Sequence, residues 1–227
     1  MIDTLLFDLD NTLLDFDKAE ANAITRALGD VGISVTNEMR DCYHKINLAQ
    51  WKLLEQGKMT REEVKMRRFK LLFQEFDIKA SLQEVAKHYQ DYLGQGHYFI
   101  EGAEEVLQEL SKRFRIYLVT NGTLSVQRGR LKSSGIEKYL QGVFISEEIG
   151  YNKPSIEYFK KCFSKIPDFK KENTAIIGDS LSSDIQGGIN AGIKTIWFHR
   201  AQDLTEDPQP KPDYEINSLK FLLKMLK

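Results

Sequence analysis

Two kinds of hydrophobic pattern alternate along the chain. Short apolar runs bounded by polar or small residues read as buried strands, and longer stretches with apolar residues three and four apart read as helices. Residues 2–7, Ile-Asp-Thr-Leu-Leu-Phe, form the first apolar run. Four helical stretches follow without a strand between them. One opens on the capping-box pattern Asp17-Lys-Ala-Glu20 and runs to about residue 31, with Asp17 as its cap. The second covers about 37–55 and stops at Gly57. The third and fourth open on Thr60-Arg-Glu-Glu63 and Ser81-Leu-Gln-Glu84, and the last ends near Gly94 and Gly96.

Beyond residue 96 the rhythm changes. Helical stretches at 103–114, 124–134, 154–163 and 182–191 alternate with strand runs at 115–120, 143–145, 174–178 and 194–198. Pro154 stands at the start of its helix, a position where its missing N–H costs nothing. A loop with Pro208, Pro210 and Pro212 leads to an edge strand at 214–216 and a helix from Leu219. Strands alternating with helices imply a parallel sheet covered on both faces. The expected fold is therefore α/β, a Rossmann-like parallel sheet at residues 1–15 and 97–227, with a four-helix domain inserted at 16–96. Hinges are expected near 15–17 and 94–102.

Composition narrows the class. With 227 residues, 41% hydrophobic and 29% charged, the chain suits a globular protein with one sizeable core and a smaller insert. A net charge of −1 gives no bulk attraction to nucleic acid or an anionic membrane. Cys42 and Cys162 lack metal spacing and read as reduced thiols, and no leader or membrane-spanning run is visible. A cytoplasmic protein is expected.

The candidate chemistry lies at strand ends. Asp8 and Asp10 follow the first strand two positions apart, where side chains of an extended segment point the same way. The second strand ends in Thr120-Asn121-Gly122 and the fourth in Gly178-Asp179-Ser180, with Asp184 five positions beyond Asp179; Lys153 precedes Pro154. In a parallel sheet these ends share one edge, the usual place for ligands in open α/β folds. Four carboxylates with one lysine suit a hard cation such as Mg²⁺ together with a phosphate. His44, His88, His97 and His199 show no ligand spacing, Arg128 and Arg130 read as solvated, and Asp3, Asp15 and Thr12 read as structural.

These motifs resemble those of the phosphatase branch of the haloacid dehalogenase superfamily. Asp8-Leu-Asp-Asn-Thr12 matches its first motif, Thr120 the second, Lys153 the third, and Gly178-Asp179 through Asp184 the fourth. The inserted helices are similar to the cap of that superfamily's first subfamily. The resemblance implies an aspartyl-phosphate mechanism. Asp8 would be the nucleophile, and Asp10 the acid for the leaving alcohol and then the base for water. Mg²⁺ would be held by Asp8, the Asp10 carbonyl and Asp179, with Asp184 acting through water or Lys153. Thr120 and Asn121 would hold phosphoryl oxygens, and Lys153 would neutralise the phosphate and orient Asp8.

The cap would choose the substrate. On the second helix Tyr43, Asn47, Trp51 and Leu54 share one face, beside a stripe of Met39, Cys42, Ile46, Ala49 and Leu53. Trp51 is either core or a ring that stacks on a base, Asn47 could bond a base edge, and Arg68 sits among apolar residues where it needs a partner or a substrate. The stretches Asn47-Leu-Ala-Gln-Trp51, Gly57-Lys-Met-Thr60, Arg68-Phe69, Ile145-Ser-Glu-Glu-Ile-Gly150 and Gly188-Ile-Asn-Ala-Gly192 are similar to those of YjjG-like pyrimidine 5′-nucleotidases. The expected substrate is a small phosphate ester, a nucleoside monophosphate foremost. Sugar-phosphate phosphatases such as N-acylneuraminate-9-phosphatase, phosphomutases and a silent binding module are the alternatives. Neither a nucleic acid polymer nor a membrane is expected as partner, and a monomer or weak homodimer is expected.

Overall fold

In the computed structural model, which describes residues 2–200 and 208–226, strand β1 (Thr4–Phe7) lies inside a six-stranded sheet. Its neighbours are β2 (Arg115–Thr120) and β4 (Thr174–Gly178), and the full order is β3-β2-β1-β4-β5-β6, with β3 at Gly142–Ile145, β5 at Lys194–Phe198 and β6 at Tyr214–Ile216. Every pairing is parallel. Phe7 is level with Leu118 on one side and Ile177 on the other, so the segments after Phe7, Val119 and Gly178 emerge together at one edge. The order reverses direction about β1, which makes that edge the switch point of the sheet.

Alternate residues of the strands face opposite layers. Leu5, Phe7, Leu118, Ile177 and Ile196 pack with Ala103, Val106, Leu107 and Leu110 of α5 (Ala103–Leu110) and with Leu219 and Leu222 near the C-terminus. Leu6, Val119 and Ile176 pack on the other side with Tyr158, Phe159, Cys162 and Phe163 of α8 (Ile156–Phe163). Both faces are covered, which explains why the central strands are apolar throughout rather than alternating.

The chain divides into two compact units, one running to Asp15 and resuming at His97, the other Phe16–Gly96. The second holds α1 (Phe16–Gly29), α2 (Asn37–Glu55), α3 (Arg61–Glu75) and α4 (Leu82–Leu93). Helix α1 packs on α4 and α2, and α3 on α2 and α4. At the centre Tyr43, Phe69 and Tyr89 meet with ring centroids 5.3 to 5.5 Å apart. No described helix is long and apolar enough to cross a membrane.

Several boundaries differ from the sequence pattern. Asp17 lies within the first turn of α1 rather than capping it, and Glu20 is buried instead of closing a capping box. Thr60 does form the full reciprocal box with Glu63. The inward stripe of α2 is Met39, Tyr43, Asn47, Gln50 and Leu54, while Ala49 is exposed and Cys42, Ile46 and Leu53 are half-buried. Helix α5 ends at Leu110, four residues before Phe114. After the single turn α7 (Ser146–Ile149), Ser155 caps α8, so Pro154 precedes the cap and does not begin the helix. The stretch from 182 is first a π-helical turn, Leu181–Ile185, and only then α9 (Gln186–Ala191). At the C-terminus a 3₁₀ turn, Leu219–Phe221, precedes a single turn of α-helix, α10 (Leu222–Met225).

Candidate active site

Asp8 leaves β1 with its backbone N–H donating to Ile177 O at 2.9 Å, so the sheet ladder itself fixes its Cα. The chain then turns tightly. Leu13 and Leu14 N–H groups both donate to Leu9 O, and Asn11 takes φ 58°, a left-handed conformation that Asn tolerates better than most residues. This turn separates the two acids that an extended backbone would have aligned. Asp8 faces inward, 6% exposed, whereas Asp10 is half-buried at the rim.

Lys153 organises the inner part. Its ammonium, 1% exposed, donates to Asp8 Oδ1 at 2.6 Å, to Asp184 Oδ1 at 2.6 Å and to Val119 O at 2.8 Å. All three of its N–H bonds are thereby satisfied, which is the condition for burying an ammonium. Asp184 is delivered by the π-helical turn, in which Ile185 N–H reaches back five residues to Ser180 O. Its second oxygen accepts from Ser180 N at 3.1 Å. Gly178 makes room: a Cβ there would lie 2.3 Å from the Asp184 carboxyl carbon. Asp179 accepts from Thr12 Oγ1 at 3.3 Å, and its carbonyl accepts from the Trp197 indole at 2.7 Å.

Carboxylate oxygens of Asp8, Asp179 and Asp184 come within 4.8 Å of one another. Such a set of hard oxygen donors around one point, opposed by a single ammonium, fits a divalent cation of the Mg²⁺ type. The electrostatics agree. Burial pushes Asp8 up to about 8, and although Lys153 opposes this, Asp184 and Asp10 add to it. Burial raises Asp179 well above the carboxylate range, with Asp8 and Asp184 repelling its charge. Burial alone would lower Lys153, but Asp184 and Asp8 hold its ammonium above its ordinary value. Asp10 is not a member of the three-carboxylate group.

Thr120 and Asn121 end β2 beside this cluster. Thr120 Oγ1, 1% exposed, accepts from Gln127 Nε2 at 2.8 Å and from Gly122 N at 3.3 Å. Asn121 behaves differently from the sequence expectation. Its amide accepts from Lys153 N at 2.8 Å and donates to Lys153 O at 2.9 Å and Ser183 Oγ at 3.2 Å. Both amide hydrogens are engaged, so the side chain positions the Lys153 segment and has no donor left for a phosphoryl oxygen.

Two residues of helix α6 (Leu124–Ser134) enter the site although nothing in the sequence reading placed them there. Arg130, read as solvated, is fully buried and donates through its guanidinium to Asp10 Oδ1. Gln127 Nε2 donates to Asp10 Oδ2 at 2.7 Å. The available signal was their i, i+3 spacing on the side of α6 that carries Val126 and Leu131, but a polar pair on a weakly amphipathic helix reads as surface. Arg128 is exposed as expected, paired with Glu148.

In the helical unit Asn47 and Arg68 belong to one buried network. Asn47 Nδ2 donates to Glu20 Oε1 at 2.6 Å and Arg68 donates to Asn47 Oδ1 at 2.9 Å, while His44 meets the other Glu20 oxygen at 2.7 Å. The Arg68 guanidinium also lies 4.6 Å from the Tyr89 ring centre and 5.0 Å from that of Phe69. The partner that Arg68 required is thus an amide and two aromatic faces. Trp51 is half-buried against Leu54, Met59 and Val64, with the Arg61 guanidinium 5.5 Å over its ring.

The model of the haloacid dehalogenase-like hydrolases matches residues 5–198. The chain belongs to this family. It is 42% identical over 98% of its length to pyrimidine 5′-nucleotidase PynA of Streptococcus pneumoniae, covering 94% of that protein. It is 26% identical over 99% of its length to pyrimidine 5′-nucleotidase YjjG of Escherichia coli, covering 97% of it. The crystal structure of the HAD-hydrolase YfnB of Bacillus subtilis, bound to magnesium, superposes with a TM-score of 0.92 at 41% identity, covering 100% of this chain and 99% of that one. The fold and the family expected from the strand-end motifs are therefore both found.

Proposed function

We propose that the protein is a Mg²⁺-dependent phosphomonoesterase that hydrolyses nucleoside 5′-monophosphates, pyrimidine nucleotides foremost, through a phosphorylated Asp8. The observation that carries this reading is the Asp8–Lys153–Asp184 triad beside Asp179, a nucleophile, a fixed cation and a metal-type oxygen set at one sheet edge. The near-full-length likeness to two pyrimidine 5′-nucleotidases supports the substrate class. Asp8, the Asp10 carbonyl and Asp179 would hold the cation, with Asp184 behind them. When bound, Mg²⁺ supplies charge neutralisation for the phosphoryl oxygens and for the crowded carboxylates.

The protein groups then divide the work. Thr120 donates its hydroxyl to a phosphoryl oxygen, and Lys153 neutralises the phosphate by its charge and keeps one Asp8 oxygen fixed so that the other faces phosphorus. Asp8 attacks phosphorus, the P–O ester bond breaks, and Asp10 gives its proton to the leaving alcohol. Water next attacks the aspartyl-phosphate, Asp10 accepts its proton, and phosphate leaves as the Asp8 carboxylate is regenerated. In the helical unit Trp51 is assigned to the nucleobase, while Asn47 and Arg68, engaged with each other and with Glu20, are assigned to holding the helices together. Cys42 and Cys162 are free thiols, consistent with a cytoplasmic enzyme, and the protein acts as a monomer or weak homodimer.

The test is a phosphate-release assay with and without Mg²⁺ over pyrimidine and purine monophosphates and sugar phosphates, in wild type, Asp8→Asn and Trp51→Ala. Wild type should turn over pyrimidine nucleotides only with Mg²⁺, and Asp8→Asn should be folded and inactive. Trp51→Ala should raise KM for nucleotides more than for p-nitrophenyl phosphate. Faster turnover of sugar phosphates would replace the substrate assignment, and an isomeric sugar phosphate in place of free phosphate would mark a mutase. Retained activity in Asp8→Asn would remove the mechanism and leave a binding module as the better account.

A further inference from the structure

We propose that Gln127 and Arg130 are positioning residues for Asp10, holding the proton-transfer acid in register with Thr120. Both sit on the inward side of α6, one helical turn apart, and both are at most 1% exposed. Together they engage both oxygens of Asp10, Arg130 taking Oδ1 and Gln127 taking Oδ2 at 2.7 Å. Arg130 also donates to Gln127 Oε1 at 3.4 Å, so the two side chains support each other.

Two further observations give this arrangement a purpose beyond packing. Gln127 Nε2 bonds Asp10 and Thr120 Oγ1 at once, at 2.7 and 2.8 Å. One amide therefore ties the group that moves protons to the hydroxyl assigned to the phosphoryl group. Moreover, Gly122 leaves the space this amide occupies: a Cβ at that position would lie 2.2 Å from Gln127 Nε2. Burying a guanidinium is costly, and an apolar residue of similar volume would pack α6 at least as well. Its partner Asp10 stands at the half-buried rim, where a carboxylate could be solvated without help. The buried cation is thus placed to fix a partly exposed acid, not to rescue a buried one. Each carboxylate oxygen retains a lone pair after accepting one bond, so the held group can still carry a proton to the leaving oxygen. Proton transfer depends steeply on such placement.

The inference rests on the acid role proposed for Asp10, and leaving-group dependence separates the two. The ratio kcat/KM reports steps up to release of the alcohol, where an alkoxide needs its proton and p-nitrophenolate needs little help. Gln127→Leu and Arg130→Met should both lower kcat/KM for a nucleoside 5′-monophosphate at least about tenfold further than for p-nitrophenyl phosphate. Arg130→Lys should recover part of the selective loss. An equal loss on both substrates, or no loss on either, in both variants would overturn the proposal and leave α6 a packing element. Asp10→Asn is the control. If it keeps wild-type selectivity between the two substrates, the acid role itself fails, whatever Gln127 and Arg130 do.

Discussion

Asp8 and Asp10 lie two positions apart yet draw on different cations: Lys153 Nζ donates to Asp8 Oδ1 at 2.6 Å, whereas Arg130 donates to Asp10 Oδ1. The turn through Asn11 makes this possible by redirecting the chain after Leu9. Each acid is thus held in its own geometry, Asp8 by the Lys153 ammonium and Asp10 by the Arg130 guanidinium, which suits a nucleophile and a proton carrier with separate tasks.

Lys153 is the residue whose loss should be felt most widely. Lys153→Met removes the ammonium between Asp8 and Asp184, both buried. Breaking a buried ion pair on one side costs about 3 kcal/mol or more. The loss should be larger near about pH 8 than near about pH 5, because at the lower pH Asp8, raised by burial, is neutralised by its own proton. Urea unfolding at both pH values measures this, and a loss under about 1 kcal/mol at each would contradict it. Turnover should fall at least about 100-fold.

The Asp8 shift gives a signed pH dependence for the metal-free protein. An aspartate whose carboxyl rises from 3.8 unfolded to about 8 folded binds its proton more tightly in the native state. Unfolding then releases a proton anywhere between these values, so stability falls as pH climbs from about 4 to about 8. Asp179, raised by burial and by its neighbours' charge, acts in the same sense. Asp3, lowered to about 2 chiefly by its bond from Thr4, contributes stability that is lost only below this window. Unfolding midpoints in chelator should decline across the range, and Mg²⁺ should flatten the decline because it binds only the deprotonated set. A flat or rising profile in chelator would show that the carboxylates are not strained.

How much of this was legible in the sequence follows from where the information lies. Strands β2, β4 and β5 and helix α6 stood where apolar runs and turn residues placed them, because each begins and ends on a sharp change of pattern. The strand-end acids were legible for the same reason, since nothing apolar explains a carboxylate after a buried run. The partners of Asp10 were not. Arg130 and Gln127 lie 120 and 117 residues from Asp10, and only the tertiary docking of α6 turns two surface-type residues inward. The π-helical turn was equally hidden. It depends on Ile185 N–H reaching Ser180 O, a choice set by the fit of Asp184 to Lys153 rather than by helix propensity. In the helical unit the capping-box spelling at Asp17 was misleading, because Glu20 satisfies Asn47 and His44 instead of its own helix start.

Gly178 makes a sharp spatial test. A methyl group there would stand 2.3 Å from the Asp184 carboxyl and force Asp184 away from Lys153. Gly178→Ala should therefore weaken Mg²⁺ affinity and lower kcat at least about tenfold, at a stability cost of about 1–3 kcal/mol. Isothermal titration with Mg²⁺ and turnover at saturating metal measure the two effects. Unchanged affinity and unchanged turnover would mean that Asp184 has room the structure does not provide.

The Glu20 network makes a separate prediction for the helical unit. Glu20, 3% exposed, comes from α1 and meets Asn47 of α2, which in turn meets Arg68 of α3, so one polar chain crosses three helices. Asn47 is 2% exposed, and its amide N–H toward Glu20 has no water to turn to if the carboxylate is removed. Glu20→Ala should then cost about 1–3 kcal/mol, the penalty for a buried donor left unmatched. His44→Ala should cost under about 1 kcal/mol, because the ring is half-exposed and its bond to Glu20 is replaceable by solvent. The pair Glu20→Ala and Asn47→Leu should be non-additive, the double variant losing less than the sum, since removing both partners leaves nothing unsatisfied at that bond. Additive losses in urea unfolding would show the two residues acting independently and would reduce the chain from Glu20 to Arg68 to adjacent but uncoupled contacts.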